Sequence, residues 1–143
     1  MLFNYKGSKV EASSKEEAIE KVIAGNSYIT VDEINQDNYK EYIGKKVNVT
    51  GNVYLYDLGL KNIPIIFGKV GGNFSCFDNK LTSLNGCPKE VNGDFDCNHN
   101  NLTSLKGSPS KVGEHFDCSN NKKEFTKKDV KRYCKVHGKI CCD

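Results

Sequence analysis

Tryptophan is absent and proline occurs three times, and several features that would announce a function class are missing as well. No apolar run approaches the roughly 18 residues that a membrane-spanning helix needs, so no membrane partner is expected. The opening residues, "MLFNYKGSKVEASSKEEA", lack the basic end and apolar core of a secretory leader, and a cytoplasmic location is the expectation. There the seven cysteines should stay reduced, and their odd number cannot form a complete disulfide set. Charge of one sign is not in excess either. The net charge of +3 is too small to argue for nucleic acid by itself. No glycine-rich phosphate loop, G-x-S-x-G elbow or H-E-x-x-H motif occurs. What remains is a polar but foldable chain, 37% apolar and 27% charged over 143 residues, long enough for one domain with a real core.

The informative presence is a repeat. "VGGNFSCFDNKLTSLNGCPKE" from Val70, "VNGDFDCNHNNLTSLKGSPSK" from Val91 and "VGEHFDCSNNKKEFTKK" from Val112 align without gaps at a spacing of 21 residues. One step back, "VTGNVYLYDLGLKNIPIIFGK" from Val49 puts Val53, Leu55, Leu60 and Ile63 in the same apolar slots. Four units result, the outer two divergent, as end units of a solenoid are.

The unit V-x-G-x-F-x-C-x-x-N-x-L-T-S-L-x-G-x-P resembles the leucine-rich repeat, whose core is L-x-x-L-x-L-x-x-N-x-L. Phe74, Phe95 and Phe116 take one strand leucine position, and Cys76, Cys97 and Cys118 the next. Asn79, Asn100 and Asn121 stand at the asparagine position. The period-two Phe-x-Cys alternation turns both side chains inward, and cysteine is small and apolar enough to be packing there. The asparagine amide can bond backbone where the strand turns away, forming a ladder between coils. Gly86-Cys-Pro88 and Gly107-Ser-Pro109 break regular structure on the return path. The resemblance implies an α/β leucine-rich-repeat solenoid of about four coils.

The ends do not repeat. Residues 1–46 read as an α/β N-terminal cap. A hairpin turns at Lys6-Gly7-Ser8. A helix over "SSKEEAIEKVIAG" starts at Ser13 or Ser14, with Ala18, Ile19, Val22 and Ile23 as its stripe and Gly25 as its stop. "SYITV" follows as a strand, then a short helix over "DNYKEYIG" capped by Asp37. The solenoid spans 47–125, and residues 126–143 form a helical C-terminal cap. There, Thr126 caps a helix over "TKKDVKRYCKVHG" whose stripe is Val130, Tyr133, Cys134 and His137, and "KICC" adds a final strand. An exposed last coil could pair with a second copy of the chain. Lys127, Lys128, Lys131, Arg132 and Lys135 make this end basic. The plain reading is a solvated face; the sharper one is a contact patch for phosphate or an acidic protein.

Two clusters invite chemistry. "GDFDCNHNNLTSL" sets Asp96, Cys97 and His99 within four positions, but a Cys–His nucleophile needs an exposed, positioned imidazole beside its thiolate. The repeat instead puts Cys97 inside the coil and aligns His99 with Asp78 and Asn120. Cys134, His137, Cys141 and Cys142 have the ligand types of a zinc site. Their C-x-x-H-x-x-x-C-C spacing lacks a second well-separated pair, so no metal, cofactor or catalytic residue is expected and the protein reads as non-enzymatic.

Binding on a solenoid normally uses the concave strand face. By register that face carries Asn52, Tyr54 and Tyr56; Asn73, Ser75 and Phe77; Asp94, Asp96 and Asn98; His115, Asp117 and Ser119. Large aromatics lie beside acids, with no Lys or Arg among these residues. Tyr54, Tyr56, Ser75, Phe77, Asp94, Asp96, Asn98, His115 and Asp117 are therefore the expected partner-binding residues. The Lys- and Asn-rich chain also resembles small repeat proteins carried by phages and prophages of low-GC bacteria. That resemblance implies a phage product that binds and disables a host protein such as a CRISPR effector or another defence component. The alternative is a nucleic-acid binder or mimic acting through the basic C-terminal helix.

Overall fold

Each repeat delivers two inward columns, one from its valine and one from its phenylalanine, and two parallel sheets grow from them. In the computed structural model, which describes residues 2–5, 8–11 and 27–143, the first sheet has six strands. In chain order these are β3 (Ile29–Val31), β4 (Lys46–Val49), β6 (Ile66–Val70), β8 (Glu90–Val91), β10 (Lys111–Val112) and β12 (Lys135–Val136). The second sheet has five, β5 (Val53–Tyr54), β7 (Phe74–Ser75), β9 (Phe95–Asp96), β11 (Phe116–Asp117) and β13 (Ile140–Cys141). All their pairings are parallel and run from one coil to the next. The chain is thus a solenoid of about five turns. Ahead of it, β1 (Leu2–Tyr5) and β2 (Ser8–Glu11) pair antiparallel, Tyr5 opposite Ser8, as the hairpin reading requires. The helix expected over Ser13 to Gly25 lies outside the described residues.

Among the described residues the architecture is mostly β, which corrects the α/β expectation. The return path of each coil, Lys80 to Pro88 for example, is a run of turns and bends. Its Thr, Ser, Gly and Pro disfavour a helix, and a 21-residue coil carrying two strands leaves no room for one. The short helix expected at Asp37 is a 3₁₀ turn over Tyr39–Tyr42 with Asn38 at its N-cap. Here Asn35 Oδ1 accepts the backbone N–H groups of Asp37 and Asn38 at 2.9 and 3.1 Å, and this side-chain turn replaces a helical start.

The described chain has one α-helix, α1 (Lys127–Tyr133). Thr126 Oγ1 accepts from Asp129 N at 3.2 Å, and Asp129 Oδ2 accepts from Thr126 N at 2.9 Å, a reciprocal capping box. The helix stops four residues short of His137. Cys134 is extended (φ −141°, ψ 137°), and Lys135 and His137 donate to Ser110 and Val112 carbonyls at 2.9 and 3.0 Å. Sheet pairing therefore takes the residues that a longer helix would have used. Val130 and Cys134 still pack inward, whereas Tyr133 and His137 are exposed.

The core is a set of stacked columns. Val70, Val91 and Val112 line one side and Phe74, Phe95 and Phe116 the other, all buried. The rings of Phe74 and Phe95 stack at 5.7 Å, and those of Phe95 and Phe116 meet tilted by 49° at 4.9 Å. Full burial of each such side chain contributes about 2–3 kcal/mol. Asparagine completes the coil as its repeat position implies. Asn100 Nδ2 donates to Cys76 O and Cys97 O at 3.0 and 3.2 Å, while its Oδ1 accepts from Leu81 N at 3.0 Å. Asn79 and Asn121 repeat the pattern.

Candidate functional site

The corner after each second-sheet strand sorts the Asp96, Cys97 and His99 cluster into three different environments. Cys97 is fully buried. Burial first, and the neighbouring Cys76 and Cys118 thiols second, push its thiol well above the ordinary value, the opposite of an activated nucleophile. His99 has φ 51° and shares this left-handed corner with Asp57, Asp78 and Asn120 at φ 55°, 52° and 54°. Asp, Asn and His are the non-glycine residues most tolerant of that region, so backbone geometry accounts for the histidine. Its ring is exposed, touches Asn98 Oδ1 and stands 4.0 Å from Asp78 Oδ1. Asp96 alone of the three faces outward from the strand.

Where the chain bends from one sheet to the other, a second side-chain ladder runs along the solenoid. Asn52 Oδ1 accepts from Asn73 N at 2.7 Å, Asn73 Oδ1 from Asp94 N at 2.8 Å, and Asp94 Oδ1 from His115 N at 2.9 Å. His115 Nδ1 accepts from Lys139 N at 2.8 Å, so its ring proton sits on Nε2. Gly72 and Gly93, each two residues after a repeat valine, make room for this ladder; Glu114 takes that position in the next coil. A Cβ on Gly93 would collide with Asn73 Oδ1 and stand 2.9 Å from Gly72 O. Asp94 and His115, expected among the partner contacts, are thus also rungs of the scaffold.

Two outward columns remain on the second sheet. Register aligns Tyr54, Ser75, Asp96, Asp117 and Cys141 in one. Two residues further along each strand stand Tyr56, Phe77, Asn98 and Ser119. Tyr56 and Phe77 stack face to face, 4.7 Å between centroids and 3° between planes, and Tyr54 meets Tyr56 edge-on at 6.4 Å. The expected aromatic cluster is therefore assembled. Asp96 and Asp117 are register partners on adjacent rungs, which places them about 4.8 Å apart. Each uses one carboxylate oxygen locally. Asp96 Oδ1 accepts from Asn98 N at 3.1 Å and from the Asn98 side chain, while Asp117 Oδ1 accepts from Ser119 N at 3.0 Å and Oγ at 2.6 Å. Burial lifts the Asp96 carboxyl from 3.8 to about 6, and the Asp117 and Asp94 charges add to that shift against the Asn98 hydrogen bonds. Ser119, by contrast, is buried rather than open on the face. Asp57 and Asp78, which the sequence reading passed over, extend the acidic edge from their corner positions; the alignment of Asp57, Asp78, His99 and Asn120 was the available signal.

Comparison with protein-family models, curated proteins and solved structures finds no match in any of the three. The repeat pattern and the geometry therefore carry the reading alone.

Elsewhere, Lys127, Lys128, Lys131, Arg132 and Lys135 are all exposed, and Lys135 is the register partner of Lys111. Cys134, His137, Cys141 and Cys142 do not converge. Cys134 is buried at the end of α1, and Cys142 lies against the Cys118 thiol. Among the described residues no three His, Cys, Asp or Glu side chains group as metal ligands. A cleft of about 670 Å³ opens at the last turn between Asn121, Phe125, Ile140, Cys142 and Asp143. No helix among the described residues is long and apolar enough to cross a membrane.

Proposed function

We propose that the chain is a leucine-rich-repeat-type, non-enzymatic protein-binding module whose contact surface is the outer face of the second sheet. The observation that carries this reading is the stacked Tyr56–Phe77 pair lying on the same narrow face as the Asp96–Asp117 carboxylates. Aromatic side chains of this kind supply rigid contact area at low entropic cost and are enriched among binding hot spots. The cysteines, by contrast, offer no support for catalysis, because burial holds Cys97 and Cys118 in the thiol form. Among candidate partners a host protein, such as a CRISPR effector or another defence component, comes first. The likeness to phage-carried repeat proteins is what supports that choice.

Affinity capture from host lysate, with partners identified by mass, tests the reading. Phe77→Ala combined with Asp96→Lys should abolish capture of the partner while leaving the unfolding midpoint near that of the parent. Undiminished capture by the double variant would exclude this face.

One observation favours a second reading. Lys127, Lys128, Lys131, Arg132 and Lys135 are all exposed, and Lys135 pairs in register with Lys111, a concentration of positive charge suited to phosphate. On that reading nucleic acid binds, affinity falls steeply with salt, and reversing Lys128, Lys131 and Arg132 to Glu removes it.

A further inference from the structure

The face of the second sheet is narrow, and its charge is nearly all of one sign. Its strands are two residues wide, and five of them stack at about 4.8 Å, so the strip is about 20 Å long and roughly 10 Å across. That is well below the roughly 800 Å² per partner of a standard globular interface, and it suits a single extended segment. Along the strip stand Asp94, Asp96 and Asp117, edged by Asp57 and Asp78 at the corners; His99 and His115 are its imidazoles. Lys139, at the flank of the last rung, is the one Lys or Arg in these columns. The aromatic half of the strip, Tyr54, Tyr56 and Phe77, lies on the two rungs before Asp96 and Asp117.

The carboxylate pair is incompletely satisfied. Asp96 and Asp117 each take local donors on Oδ1, and no described residue donates to either Oδ2. Two like charges on neighbouring rungs, both half-buried, favour a donor that bridges them. A guanidinium offers five N–H groups in a planar fork, and its flat face also stacks on aromatic rings.

We propose that this strip binds an extended cationic protein segment, an arginine of the partner bridging Asp96 and Asp117 while an adjoining side chain lies on Tyr56 and Phe77. The inference rests on the reading of this face as the partner-binding surface and gives that partner its chemistry. An arginine fits better than a lysine, because one point charge does not span two carboxylates on separate rungs.

The test uses the full chain, isotope-labelled, titrated with two peptides of equal length, one alternating Arg with Phe and Gly, the other carrying Glu in place of Arg. The Arg peptide should give saturable shifts confined to the amides of residues 54–56, 75–77, 96–98 and 117. The Glu peptide should give none. Asp96→Asn with Asp117→Asn should weaken binding by roughly tenfold or more, and so should Phe77→Ala, whereas Glu90→Gln on the other sheet should change nothing. A Lys-for-Arg peptide should bind several-fold more weakly. Shifts spread over Glu90, Glu114 and Glu124 without saturation would mean undirected charge attraction and overturn the proposal. Self-association of the peptide-free protein that Asp96→Asn abolishes would also overturn it, in favour of a second copy supplying the cation. Capture of a host protein that Phe77→Ala abolishes but the Asn pair leaves intact would sink the cationic partner alone. Capture indifferent to every one of these variants would remove the binding face itself.

Discussion

Asn100 joins two coils through one side chain: its Nδ2 group donates to Cys76 O of the preceding rung at 3.0 Å and to Cys97 O of its own at 3.2 Å. The same residue's Oδ1 takes the N–H of Leu81 at 3.0 Å. A buried carbonyl left without its donor costs about 1–3 kcal/mol, and Asn100 satisfies groups on both coils. Asn100→Ala should therefore destabilise the protein by about 2–4 kcal/mol. Asn100→Asp, which keeps the acceptor and loses the donor, should cost nearly as much. Urea unfolding followed by far-UV circular dichroism measures both. A loss below about 0.5 kcal/mol, the range of ordinary surface substitutions, would mean that the ladder is incidental.

His99 makes the opposite prediction. Its corner has φ 51°, so replacement should follow backbone tolerance rather than imidazole chemistry. His99→Asn, His99→Asp and His99→Gly should leave stability within about 0.5 kcal/mol, while His99→Val should cost about 1–2 kcal/mol, since β-branched residues resist the left-handed region. Partner capture should be unaffected by His99→Asn. Loss of capture with intact folding would return His99 to the functional set.

The cysteines can be counted by reagent. Cys76, Cys87, Cys97, Cys118 and Cys134 are buried, Cys142 is half-buried and Cys141 is exposed. Burial also pushes Cys134 up to about 11 and raises Cys142. A disulfide reagent at about pH 8 should modify two thiols quickly in the native protein, Cys141 ahead of Cys142, and all seven after unfolding. Rapid modification of Cys97 in the native state is the outcome this core does not permit.

These residues also show where the sequence is transparent and where it is not. The four repeats from Val49 to Val112 were legible because every coil between them has the same length. The flanking rungs were hidden because their spacing differs. Val31 precedes its partner Val49 by 18 residues, and Val136 follows Val112 by 24, the longer step holding α1. The valine strand of each coil, in the first sheet, was also missed. It is two residues long at β8, β10 and β12, and so short a segment has no alternation to detect. On the candidate face, the Tyr56–Phe77 pair followed from register alone. The double use of Asp94 and His115 did not, since a side chain that accepts from the next coil's backbone looks in sequence like any exposed polar residue.

Asp96 gives the face a pH signature. Burial raises its carboxyl from 3.8 to about 6, so the folded state binds this proton more tightly than the unfolded state does. The stabilisation from that proton is complete below about pH 4 and is lost as pH rises through about 6. Asp96 remains partly in contact with water, which cuts the cost of its charge to about 1 kcal/mol at neutral pH. Asp96→Asn keeps an oxygen acceptor for Asn98 and carries no charge. It should be more stable than the parent by about 1 kcal/mol near pH 8 and indistinguishable from it near pH 4. Parallel urea titrations across that range decide the matter. A constant difference at every pH would assign the effect to packing instead of titration.

Asp94 separates scaffold from contact surface most cleanly. Its Oδ1 accepts from His115 N at 2.9 Å, the same bond that Asn73 and Asn52 make one and two coils earlier. The position needs an acceptor of that length and has no need of charge. Asp94→Asn should therefore preserve stability to within about 0.5 kcal/mol, whereas Asp94→Ala should lose about 1 kcal/mol with its hydrogen bond. The effect on binding is separable. If the strip attracts its cationic partner mainly through Asp96 and Asp117, Asp94→Asn should slow association slightly, most visibly at low salt, and leave dissociation unchanged. Faster dissociation in Asp94→Asn, measured by surface plasmon resonance against the captured partner, would make Asp94 a direct contact as well as a rung.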